Sequence, residues 1–140
     1  MGRIVIVLGA SVLMLAATAA GKDFQPGDLR VCSATRCVAI EEQAVLDRLA
    51  AFNYGGPKPR RASAPRLHAP YFQLRFTNGY VTGIVATRRL DRFLSYGVNL
   101  GQFERGRWYH VPAAAAAELQ RLTLGLRPLR LTQTALAKAH

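Results

Sequence analysis

The chain has 140 residues, half of them hydrophobic, with 19 Lys+Arg against 8 Asp+Glu and a formal net charge of +11. That length suffices for one domain with a real core, burying roughly two-thirds of its unfolded surface, and neither an internal repeat nor a second domain is read from it. Two cysteines and three scattered histidines do not make a metal-ligand set, so no metal and no cofactor are expected. The positive field favours anionic partners, whether nucleic acid, acidic polymers or anionic headgroups, and no motif selects nucleic acid among them.

Residues 1–20 read as a secretion signal peptide. Met1-Gly2-Arg3 is a short positive start, Ile4 to Ala17 is almost unbroken apolar chain, and Ala17-Thr18-Ala19 offers a small-x-small cleavage site. An uncleaved leader would instead anchor the protein in the membrane, but the run is short for a span and lacks a stop-transfer cluster. Arg3 to Ser11 also resembles the first strand of a dinucleotide-binding unit, yet it carries one glycine at the turn where three are needed. Removing the leader takes away Arg3 only, leaving 18 bases against 8 acids, a net charge of +10, and no transmembrane segment is expected after cleavage.

The mature chain, residues 21–140, is expected to form a single α+β domain. Gly21 to Asp28 is a polar, flexible lead-in containing Pro26-Gly27. Leu29-Arg30-Val31-Cys32 and Cys37-Val38-Ala39-Ile40 read as two short strands whose register sets the cysteines opposite each other. Export carries them to an oxidising compartment, so Cys32 and Cys37 are expected to form a disulfide. Glu41 to Phe52 reads as a helix with two acids in its first turn and Val45, Leu46, Leu49 and Phe52 as its buried stripe.

Gly55 to Pro70 holds four prolines, two glycines and the bases Lys58, Arg60, Arg61 and Arg66 without an acid, and predicts a basic surface loop at 55–70. His68 within it is expected to be solvated. Tyr71 to Ala86 is the clearest element: Asn78-Gly79 between two β-rich runs predicts a hairpin with a two-residue turn. That turn pairs Phe76 with Val81, Leu74 with Gly83 and Phe72 with Val85 on one apolar face, the other face being mixed and open to solvent.

Thr87 reads as the cap of a helix from Arg88 to Tyr96, with Leu90, Phe93 and Leu94 inward and Arg88, Arg89 and Arg92 outward. Arg107 to Val111 is a strand expected to join the hairpin, and Pro112 opens a helix running to Leu124, stopped by Gly125. Leu129-Arg130-Leu131 adds a short edge strand. The tail from Thr132 makes one frayed turn held by Leu136. The expected fold is thus a small antiparallel sheet of three to four strands, including hairpin 71–86, packed by two main helices and carrying the stapled N-terminal ribbon.

Catalytic signatures are thin: no nucleophile elbow, no His-Glu-x-x-His, no phosphate-cradling glycine loop and no free thiol. The best local set is Glu104, Arg107 and His110, since small secreted ribonucleases combine such a base, phosphate clamp and acid. Strand alternation turns Arg107 away from the other two. Trp108, Tyr109, Tyr96 and Tyr71 could form a stacking platform beside the arginines only if they stand outward.

The segments GDLRVCSATRCVAIEE, PYFQLRF, FLSYGVNLG and RGRWYHVPAAAAAEL together resemble a group of small secreted proteins from high-GC actinobacteria that carries no assigned function. That resemblance implies secretion, one disulfide and a small α+β domain, and it supplies no active-site residue. The expectation is a secreted non-enzymatic module attaching electrostatically to an anionic envelope polymer or acidic partner protein. Its contacts would be Arg88, Arg89, Arg92, Lys58, Arg60, Arg61 and Arg66. The alternative is a ribonuclease-like hydrolase using Glu104 and His110.

Overall fold

The computed structural model describes residues 25–44, 59–96 and 103–139. The leader, the body of the helix expected from Glu41 to Phe52, the start of the 55–70 loop with Lys58, and residues 97–102 lie outside the described residues. Among the described residues there are seven strands: β1 Leu29–Cys32, β2 Cys37–Ala39, β3 Pro70–Phe76, β4 Val81–Ala86, β5 Arg92–Ser95, β6 Trp108–His110 and β7 Leu129–Arg130. Helix α1 spans Ala113–Leu122 and helix α2 Gln133–Ala137. The sheet is antiparallel in the order β2-β1-β3-β4-β5-β6, with β7 beside the start of β3. The class is α+β as expected, but seven strands replace three to four.

Two causes account for the extra strands. First, the stapled ribbon is not an appendage: Val31 pairs with Leu74 and Leu29 with Phe76, which welds β1 into the sheet. Gln25 to Asp28 is likewise no loose lead-in. The Gly27 N–H bonds the Ile40 carbonyl at 2.8 Å, and Thr77 N–H bonds the Asp28 carbonyl at 2.9 Å. Second, Arg92–Ser95 is a strand, not part of a helix. Leu90, Phe93 and Leu94 fit a helical stripe, but this sheet is covered on both faces, so adjacent apolar residues can each be buried on opposite sides. Phe93 enters one core cluster with Phe72, Val85, Tyr109 and Leu119. Leu94 enters the other with Tyr71, Ile84, Trp108 and Ala135. The expected short edge strand is present as Leu129–Arg130, paired with Tyr71 and Pro70.

The hairpin keeps the expected register up to Leu74↔Gly83 and then departs from it. Asn78 does not take a positive φ; Gly79 does, at 86°. The Gly79 N–H closes a turn on the Phe76 carbonyl at 2.9 Å, and Phe76 N–H reaches the Tyr80 carbonyl at 2.9 Å, so the loop has three residues. The one-residue shift is absorbed by a bulge at Thr82, where Arg75 pairs with Val81. Thr82 is buried, and its hydroxyl satisfies itself on the Leu74 carbonyl at 3.1 Å.

Cys32 and Cys37 are register partners and form the disulfide. Helix α1 begins one residue after Pro112 and places Ala115, Ala116 and Leu119 on the sheet, the alanines permitting close approach. Helix α2 is capped by the Thr132 hydroxyl, which accepts from Ala135 N–H at 3.1 Å. Its hold is firmer than Leu136 alone: Leu131, Ala135 and Ala139 are all buried. No helix among the described residues is long and apolar enough to cross a membrane.

Candidate functional site: an arginine groove beside the β4–β5 turn

Three non-glycine residues adopt positive φ among those described: His68 at 65°, Thr87 at 79° and Leu90 at 52°. A left-handed conformation costs an L-residue roughly 1–2 kcal/mol, and for a β-branched threonine it is a pronounced outlier. Such strain persists only where surrounding bonds over-determine it. Around Thr87 they do. Its N–H donates to the Pro70 carbonyl at 2.9 Å, and its carbonyl receives Leu90 N–H at 3.2 Å. Its hydroxyl donates to Asp91 Oδ1 at 2.6 Å and accepts Arg89 N–H at 3.2 Å. Leu90 is buried in the core, pinning the far side of the turn. Gln120 on α1 donates to the Arg89 carbonyl at 2.6 Å. The result is a rigid turn that holds Arg88 and Arg89 up into solvent, where a helix would have spread them along one face.

His68 performs a related task. Its N–H bonds the Leu131 carbonyl at 2.8 Å, and its carbonyl receives Arg130 Nη1 at 3.3 Å. All three strained residues therefore bracket or orient two arginines, Arg88 and Arg130, which line one open groove of about 450 Å³. Its apolar walls are Pro70, Phe72, Leu90, Leu124 and Pro128; Thr87, Gln120 and Thr123 supply polar edges, and Gly125 turns the chain away. No carboxylate lines it. The Arg88 guanidinium has no hydrogen-bond or ion-pair partner among the described residues.

Arg130 pairs with Pro70, and Pro70 accepts from Thr87 across the next gap. Two strand spacings of about 4.8 Å put Arg130 and Thr87 on the order of 10 Å apart at Cα. Two cations share this groove with apolar side chains and with no carboxylate in its lining, an arrangement whose local field favours negative charge.

The other expected contacts are distributed differently. Arg92 is half-buried and engaged: Nη1 meets Asp91 Oδ2 at 3.1 Å and His110 Nδ1 at 3.3 Å. Arg61 pairs with Glu104 at 2.8 Å and lies over the Tyr109 ring, 5.6 Å from its centre. Arg60 and Arg66 are exposed. The expected basic loop is tied down at this point, since Ala62 N–H bonds the Trp108 carbonyl at 3.0 Å and His110 N–H bonds the Arg60 carbonyl at 2.8 Å. The segment thereby shields the exposed edge of β6.

Glu104 and His110 are not brought together. Glu104 N–H donates to the Tyr109 hydroxyl at 2.9 Å and its carboxylate goes to Arg61, while His110, on the opposite face of β6, meets Arg92. The aromatics do not make a platform either: Tyr71, Trp108 and Tyr109 are buried, and the half-buried Tyr96 donates to the Ala135 carbonyl at 3.0 Å. Among the described residues no group of three or more His, Cys, Asp or Glu could hold a metal ion.

Arg130 was outside the expected contact set. Its strand was legible, but only the β7–β3–β4 adjacency, a long-range property, sets it beside residue 88. No family model matches the chain, and no curated protein or solved structure matches it significantly.

Proposed function

We propose that the protein is an exported, non-enzymatic binding module whose Arg88–Arg130 groove attaches to an anionic partner. One observation carries the reading: the strained residues Thr87 and Leu90 bracket Arg88 and Arg89, and the carbonyl of the strained His68 accepts from Arg130. Strain retained around exposed cations, in a groove lined by no carboxylate, is expected where the cations act on something outside the chain. Export is supported by the apolar leader and by a disulfide of the kind that persists in oxidising compartments. Arg89, Arg60 and Arg66, all exposed, add field around the groove.

Retention on an immobilised sulfated polysaccharide across a salt gradient tests this. The protein should elute at substantially raised salt, and Arg88→Glu with Arg130→Glu should abolish most of that retention. Arg107→Glu serves as the control, an exposed base at the opposite end of the strands. Equal losses from the groove pair and the control would mean that net charge alone is responsible, and the site assignment would fall.

A further inference from the structure

The groove is two-natured, and that narrows its ligand. Its two cations line the same groove as the apolar side chains of Phe72, Leu90, Pro128 and Leu124, the last of them 77% exposed. A uniformly charged polymer would leave that surface facing hydrated charge, with no contribution from Leu124. The groove is also open to solvent, unlike the enclosed pockets that bury most of a small ligand.

Resting on the reading above, we propose that the groove takes an extended acidic peptide segment of a partner protein, with a bulky apolar residue between two carboxylates. In an extended chain alternate side chains point the same way, so acid, apolar and acid at positions i, i+2 and i+4 share one face. At about 3.3 Å per residue the two acids lie roughly 13 Å apart, within reach of two long arginine arms, one rooted at Arg130 and the other one residue past Thr87, itself about 10 Å away. The central side chain then lies over Leu124 and the apolar wall, while the carboxylates meet Arg88 and Arg130. Guanidinium forks suit carboxylates through paired N–H donors. Charge steers the encounter, and the buried apolar residue supplies selectivity.

Fluorescence anisotropy with a labelled Asp-Ala-Leu-Ala-Asp peptide reads this directly, beside an Asp-Ala-Ser-Ala-Asp peptide and a labelled polyphosphate. The leucine peptide should bind about tenfold more tightly than the serine peptide at equal charge, in keeping with partial burial of one leucine. Leu124→Ser should remove most of that difference without changing the salt dependence. Arg88→Gln and Arg130→Gln should each flatten the salt dependence for both peptides. If the two peptides bind equally, or if neither binds while polyphosphate does and depends on Arg88 and Arg130, the peptide inference fails and the anion-binding reading stands. If Arg88 and Arg130 matter to none of the three probes, both fail.

Discussion

At Gly83 the fold leaves no room for one added methyl. A Cβ built there would meet the Leu94 carbonyl oxygen, and it would sit 2.5 and 2.7 Å from Phe93 Cε2 and Cζ. The oxygen belongs to the paired strand and cannot yield. The ring is fully buried and is itself held edge-on by Phe103, centroids 5.0 Å apart, which in turn meets Tyr109 at 4.9 Å. Relief therefore needs a coordinated shift of three aromatic side chains or a parting of β4 from β5. Overpacking of this kind costs about 1–3 kcal/mol, and a backbone clash places Gly83→Ala at the upper end. The entropic gain of Gly→Ala returns about 0.4–1 kcal/mol, leaving a net loss of about 2 kcal/mol. For a domain of this size that is a fall in Tm on the order of 10 °C. Gly79→Ala is the reference, because a Cβ there meets nothing within 4 Å and only its φ of 86° penalises the change, about 1 kcal/mol. Thermal and denaturant unfolding of both variants should rank Gly83→Ala clearly worse. Equal or reversed losses would refute the packing described for Phe93.

Removing the staple with paired Cys32→Ser and Cys37→Ser changes should lower stability by about 2 kcal/mol, the chain-entropy value for so short a ring, measured as a shift in the urea midpoint at unchanged m. His68→Gly should raise Tm by a few degrees, because it relieves a φ of 65° while keeping the carbonyl that holds Arg130; a fall would mean that the imidazole contributes more than the strain costs. Burial, with Tyr71 as a neighbour, pushes the Tyr96 hydroxyl up to about 12 from 10.0. A raised folded value means that the native state holds this proton more tightly, so the associated stability is full below pH 10 and drains away between pH 10 and about 12. Denaturant midpoints at pH 9 and pH 11.5 should therefore fall more steeply for the native sequence than for Tyr96→Phe, which lacks the titrating group at the expense of its bond to the Ala135 carbonyl.

What could be read from the chain alone was local. The facing cysteines, the hairpin strands, the alanine-rich helix and the Leu129–Arg130 edge strand all announce themselves through pairing, periodicity or terminators within a few residues. The errors share a cause: they depend on what covers the sheet. Leu90, Phe93 and Leu94 recur at helical spacing, and nothing local says that both faces of the sheet are covered, so that Phe93 and Leu94 are buried on opposite sides. Asn78-Gly79 favours a two-residue turn by composition, yet Asp28 and Gly27 receive Thr77 from across the sheet, and the three-residue loop with a bulge at Thr82 meets that demand. Arg88 and Arg89 were visible as exposed bases. Their partner Arg130, and the strain at His68, Thr87 and Leu90 that positions the group, follow from strand adjacency and could not be seen in composition.

The central claim is that anions are engaged at one strained, arginine-bearing groove and not over the whole basic surface. Backbone amide shifts in ¹⁵N-labelled protein, followed during titration with a short polyphosphate at moderate salt, test it most directly. The account expects saturable shifts concentrated at Arg88–Leu90, Thr123–Gly125 and Arg130, lost in the Arg88→Gln, Arg130→Gln pair. Shifts spread evenly over the exposed arginines, or centred on the Arg30–Arg75 face at the other end of the sheet, would contradict it.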